Sequence, residues 1–137
     1  MIELLASGGV LLLLDQWSKR TVEARFASRG VSLGWLLQIR CVRNLKNVYR
    51  CASTRAILVV IWLAAFASGL VLYRMGVSFQ SHTALIGLGS ALGGAAGNFL
   101  DIWRRRSIVD FIDLGWWPVF NLADVAITAG IILAFWS

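Results

Sequence analysis

Three stretches of 18 residues (56–73, 83–100 and 119–136) contain no lysine, arginine or glutamate, and the first two carry no charge at all. A bilayer-crossing helix needs about 20 mostly apolar residues. Each stretch is therefore read as a membrane span, and residues 4–18, interrupted by Asp15, supply a fourth. The bulk numbers agree: 137 residues, 58% of them hydrophobic, with a mean hydropathy of +0.73, lie outside the range of ordinary soluble domains. The expectation is an all-α membrane protein of four transmembrane helices, folded as a single domain over 1–137. A small β element is expected on the membrane surface, because Leu37, Ile39 and Cys41 alternate with Gln38 and Arg40.

The first span is kept as a mature helix. Glu3 stands where a secretory signal has basic residues, and no small-residue cleavage site follows Leu14. Trp17, Trp103, Trp116, Trp117 and Trp136 fall near span ends, where aromatic belts form, whereas Trp35 and Trp62 do not. Pro118, the only proline, suits the first turn of the last span. The net charge of +6 points to anionic membrane lipid as a partner rather than to nucleic acid. Cys41 and Cys51 share one loop, a spacing that permits a disulfide without requiring one. Gly89, Gly93 and Gly97 recur every fourth residue in the third span, beside a strip of Ser90 and Gly94, a pattern that lets helix backbones approach closely.

The anomaly is NLAD at 121–124, inside the most apolar part of the chain. An aspartate at the centre of a membrane helix costs about 2.5–3.5 kcal/mol on insertion scales. With the last span starting at Val119, Asp124 is expected roughly 8 Å inside it. Because alternate spans run in opposite directions, polar residues can be sorted by membrane side. Asp15 ends the first span, Asn44 lies in the loop after it, and Asn98 and Asp101 end the third. Asp110 and Asp113 follow the third span, and Asn121 and Asp124 open the fourth. All of these fall on one side. Ionisable residues in membranes face the bundle interior and mark functional sites, although an interhelical hydrogen-bond network would also hold such residues. Two neighbouring carboxylates share one proton more readily than both ionise, so one can accept a proton from water while the other donates. The lone His82 is expected at the opposite face and the cysteines lack zinc-ligand spacing, so neither a metal, a serine triad nor a cofactor is expected.

GGAAGNFLD (93–101), IVDFID (108–113) and FNLAD (120–124) resemble, in order, the hallmark segments of the signal peptidase II family. DQWSK (15–19) resembles its D-Q-x-x-K motif, and VRN (42–44) resembles the start of its R-N-x-G segment. The resemblance implies a four-helix aspartyl endopeptidase of the bacterial inner membrane with a small extracytoplasmic β-cradle. The substrate would be a diacylglyceryl-modified prolipoprotein, cut before the lipidated cysteine. Carried over by motif, Asp110 and Asp124 are the catalytic pair, Asn98 and Asn121 orient them or the substrate, Asp15, Lys19 and Asn44 support the site and bind the peptide or lipid, and Asp101 supports it.

The chain departs from the family pattern in three places. Ile102 replaces the arginine that usually follows the GNxxD aspartate, RNLKNVYR (43–50) lacks the family's glycine and phenylalanine, and the interval from Asp110 to Asp124 is short. A catalytically silent binding paralogue and, more remotely, a small ion transporter are the competing expectations. Charge counting opposes the family's orientation. All but one of the 13 Lys and Arg lie in 19–55 and 104–118, with Arg74 alone on the other side, which predicts cytoplasmic long loops. The expectation adopted here follows the resemblance and places the site outside.

Overall fold

The computed structural model describes residues 1–26, 30–33, 37–44 and 81–136. The expected span at 56–73, Trp35, Trp62, Cys51 and most of RNLKNVYR lie outside the described residues. Among the described residues there are three helices and a three-stranded antiparallel sheet: α1 (Ile2–Phe26), β1 (Val31–Leu33), β2 (Leu37–Asn44), α2 (His82–Arg105), β3 (Ile108–Asp113) and α3 (Leu122–Trp136).

α2 is the central helix, packed between α1 and α3. Glu3 meets His82 at one end of the α1–α2 seam, and Lys19 meets Asn98 and Asp101 further along, so these two helices run parallel. α3 runs antiparallel to α2: Gly87 abuts Gly130, and Gly94 abuts Ala123. These directions match those expected from counting spans. The glycines act on two faces of α2. A side chain on Gly93 would strike the backbone of Gly8 in α1, and one on Gly97 would strike the carboxylate of Asp15. Gly97 thus makes room for a buried charge.

α1 is longer than expected. It does not end after Asp15 but continues to Phe26, placing Asp15 near its middle. The helix can continue because Asp15 and Lys19, one turn apart, neutralise each other at 2.8 Å. α3 starts later than expected, at Leu122, with Asn121 in the capping position. Asp124 is therefore in the first helical turn, roughly 3 Å along the axis from its start, not 8 Å deep. Among the described residues, α2 is the one helix both long and apolar enough to cross a membrane, while α3 is apolar but has 15 residues.

The sheet is larger than the period-2 pattern at 37–41 suggests. β2 pairs with β1 through Val31 to Ile39, and with β3 through Gln38 to Asp113 and Asn44 to Ile108. Between Ile39 and Val42 the register shifts by one residue, a bulge close to the pairing of Val42 with Asp110. β3 falls in a segment expected to be loop. Most of its residues are buried, which obscures simple alternation.

Among the described residues, part of the interior is polar and charged, and much of the exterior is apolar. Lys19, Asn121, Asp15 and Asp101 are all 0% exposed, while Phe135 and Trp136 are 77% and 87% exposed. A water-soluble domain has the opposite arrangement.

Candidate active site

The site forms where the C-terminal half of α2, the N-terminus of α3, the middle of α1 and strand β3 converge. α2 ends at Arg106, whose φ of 57° turns the chain into β3. After β3 the Asp113 carboxylate accepts the Gly115 N–H at 2.8 Å, and the chain reverses. Phe120 then pairs back onto Ile112 through backbone hydrogen bonds. This return stroke puts Asn121, the residue after Phe120, beside Asp110.

NLAD is a reciprocal helix cap. Asn121 Oδ1 accepts the Asp124 N–H at 3.0 Å, and Asp124 Oδ2 accepts the Asn121 N–H at 3.2 Å. The pair satisfies backbone donors that otherwise go unmet at a helix start. Asp15 adds a third such bond from another helix, its Oδ1 accepting the Ala123 N–H at 3.0 Å. A carboxylate at this position also faces the positive end of the helix dipole. The two residues that looked out of place in an apolar segment therefore start its helix, and their remaining atoms reach into the site.

Asn121 Nδ2 donates to Asp110 Oδ1 at 2.8 Å and to Asn98 Oδ1 at 3.1 Å. Asn98 Nδ2 in turn donates to Asp124 Oδ1 at 2.8 Å. Asp110 and Asp124 are thus both bonded to Asn121, and the two asparagines are bonded to each other. Asp110 is buried and Asp124 half-buried. Asp124 also lines an open, mostly apolar groove of about 360 Å³, walled by Trp117, Phe120 and one face of α3 from Val125 to Ile132.

Behind the amides lies an ionic cluster. Lys19 Nζ contacts Asp15 Oδ2 at 2.8 Å, Asp101 Oδ2 at 2.7 Å and Asn98 Oδ1 at 2.9 Å. Arg105 donates to Asp101 Oδ1 and lies 3.3 Å from Glu23 of α1. Gln16 Nε2 donates to Asp101 Oδ1 at 3.0 Å and to the Gly97 carbonyl at 3.1 Å. Two cations face two buried carboxylates, an arrangement in which removing one partner strands another charge.

Seven of the eight expected site residues (Asp15, Lys19, Asn98, Asp101, Asp110, Asn121 and Asp124) are brought together by these contacts. The eighth, Asn44, has its backbone paired opposite Ile108 in the adjoining strand. His82 lies at the start of α2, about 24 Å along the helix axis from Asn98. Gln16 and Arg105 are participants that sequence reasoning missed. Gln16 sits within DQWSK, and Arg105 follows Asp101 by four residues, the spacing of helix neighbours. Ile102 is buried, and the arginine that reaches Asp101 comes from one turn later.

A family model described as signal peptidase II matches residues 8–137. The lipoprotein signal peptidase of Geobacillus thermodenitrificans is 35% identical over 134 residues, covering 91% of this chain and 82% of that one. The lipoprotein signal peptidase of Syntrophomonas wolfei is 37% identical over 127 residues, covering 90% and 84%. That of Rhodococcus jostii is 36% identical over 133 residues, and this chain spans 66% of its length. A solved structure of a bacterial membrane enzyme, determined in meso at 1.9 Å resolution, superposes with a TM-score of 0.78 at 21% identity, over 95% of this chain and 88% of that one.

Proposed function

The chain is a membrane protein of the signal peptidase II family, and from that membership we propose that it is an aspartic endopeptidase removing the signal peptide of diacylglyceryl-modified prolipoproteins before the lipidated cysteine. The observation that carries this reading is the joining of Asp110 and Asp124 through Asn121, with Asp124 opening on an apolar groove.

The chemistry follows from two carboxyl groups sharing one proton. The ionised member takes a proton from water as the water oxygen bonds to the scissile carbonyl carbon. The protonated member gives its proton to the carbonyl oxygen, and a tetrahedral diol results. When the C–N bond breaks, a proton passes to the leaving amine and the carboxylic acid product forms. Asn98 and Asn121 hold the carboxylates by amide donors throughout. Asp15, Lys19, Asp101 and Asn44 act in support.

Exposed Trp17, Trp103, Trp116 and Trp117 mark the end of the bundle where the site lies, consistent with a membrane–water interface at that level. We place this end on the extracytoplasmic side, in a multi-pass chain of four spans in the bacterial inner membrane. A silent binding paralogue would not need both aspartates held on one asparagine, and Arg105 supplies Asp101 with the arginine that position 102 lacks. An ion relay would distribute carboxylates along the bundle, whereas Asp15, Asp101, Asp110 and Asp124 gather at one level.

Incubating the purified protein with a diacylglyceryl-modified prolipoprotein tests the activity. Cleavage directly before the modified cysteine is expected, and an intact substrate in the presence of folded protein rejects the reading. Sidedness has its own test. In a variant without Cys41 and Cys51, Trp116→Cys places a thiol at a position 73% exposed in the native fold. An impermeant reagent should label it from outside the inner membrane. Labelling only after that membrane is opened would put the site in the cytoplasm, as the charge count predicts.

A further inference from the structure

Two groups of fixed polarity decide which way the site's amides point. The Asp124 backbone N–H can only donate, so the asparagine atom facing it must be Asn121 Oδ1, and Nδ2 is left to face Asp110 and Asn98. The Lys19 ammonium has three donors and no acceptor. It is wholly buried, hydrogen-bonds to Asp15 and Asn98, and forms an ion pair with Asp101. Asn98 must therefore turn its oxygen to Lys19 and its nitrogen to Asp124.

We propose that Lys19 is a positioning residue for the reaction, acting on Asp124 through the Asn98 amide and not by touching substrate. The inference rests on Asp124 being one of the reacting pair. Its consequence appears when Asp124 holds a proton. A protonated carboxyl can donate, and an asparagine free to turn would present its oxygen and take that hydrogen bond. Turning Asn98 here would bring its amide nitrogen against two donors, the Lys19 ammonium and Asn121 Nδ2. Lys19, together with the Asn121 amide, thus keeps Asn98 a donor in both protonation states of Asp124. The proton on Asp124 is then directed toward water or substrate and not onto the supporting amide. Burial excludes the alternative role for Lys19, contact with the lipid or peptide, because its nitrogen is enclosed by three acceptors.

The test uses the full-length protein in detergent with a synthetic diacylglyceryl lipopeptide as substrate. Asn98→Asp keeps an acceptor for Lys19 but removes the donor to Asp124, and should lower kcat about 100-fold with KM within about threefold. Wild-type kcat in this variant would overturn the proposal. Folded Lys19→Met should show a similar loss in kcat, and adding it to Asn98→Leu should cause little further loss, since coupled residues are non-additive. Additive losses would show that Lys19 acts by another route.

A readout without substrate separates this inference from the peptidase reading. In protein labelled with 15N-asparagine, lowering the pH through the carboxylate range should leave one set of Asn98 side-chain amide signals in the wild type. Lys19→Met should give a second set, from the turned amide. A single set in the folded variant at every pH overturns the proposal even if the enzyme is active. Should Lys19→Met not fold, the Asn98→Asp kinetics decide the matter.

Discussion

The polar interior has two halves, each with a pair of aspartates and each holding its pair in a different way. In the half between α1 and α2, Asp15 and Asp101 meet Lys19 and Arg105. In the half between α2, α3 and β3, Asp110 and Asp124 meet the amides of Asn98 and Asn121. In the first half the carboxylates are held by ion pairs, and in the second by neutral amide donors. The ionic half is enclosed, whereas the amide half opens on a groove through Asp124. Substitutions should therefore separate the two: one half fails in stability, the other in catalysis.

The largest effect is expected in the amide half. Asp110→Asn and Asp124→Asn should each reduce cleavage of the lipopeptide by roughly 10³-fold or more. Asp110→Asn keeps an acceptor for the Asn121 amide, so its unfolding midpoint in detergent should change little, whereas Asp124→Asn loses one of two acceptors and should lower the midpoint modestly. Retained turnover in either variant would erase the distinction between the halves.

Asp101→Leu attacks the ionic half and should show the reverse priority. It strands Lys19 and Arg105 with fewer counter-charges, a loss of about 3–5 kcal/mol, read as a lower unfolding midpoint and a poorer folded yield. If this variant is as stable as the wild type but inactive, Asp101 belongs with the reacting groups.

Gly93→Leu tests the seam that brings the halves together. The added side chain would meet the Gly8 backbone of α1, and overpacking of this kind costs about 1–3 kcal/mol. An unchanged midpoint in detergent would mean that the seam opens freely and does not set the register of Lys19 against Asn98.

The smallest effect is expected at Asp113, next to the site but bonded to the Gly115 N–H. Asp113→Asn keeps that acceptor and should alter stability by less than about 0.5 kcal/mol, with cleavage within about twofold of wild type. A large loss of cleavage would extend the reacting set beyond Asp110 and Asp124.

Which polar residues lie at one end of the bundle is legible in the chain alone. That follows from the direction of successive apolar segments and needs no side-chain geometry, so Asp15, Asn98, Asp110 and Asp124 were gathered correctly. The sequence also located the close helix contacts, because the small residues at every fourth position of α2 have few other uses in an apolar helix. Motif order proposes a distinction between Asp110 and its neighbour Asp113 that periodicity alone cannot make. Who bonds to whom follows from three-dimensional packing and is not legible in the chain. The cap formed by Asn121 and Asp124 depends on where α3 starts, and the apolar run extends past that point on both sides. β3 was hidden because its mostly buried residues blur the alternation that marks a half-exposed strand. The burial of Lys19 within α1 is matched by an acceptor about 80 residues away in the chain, Asn98. Helix direction is a one-dimensional property of the chain. Helix rotation and axial register are not, and they decide whether a buried carboxylate meets a cation or an amide.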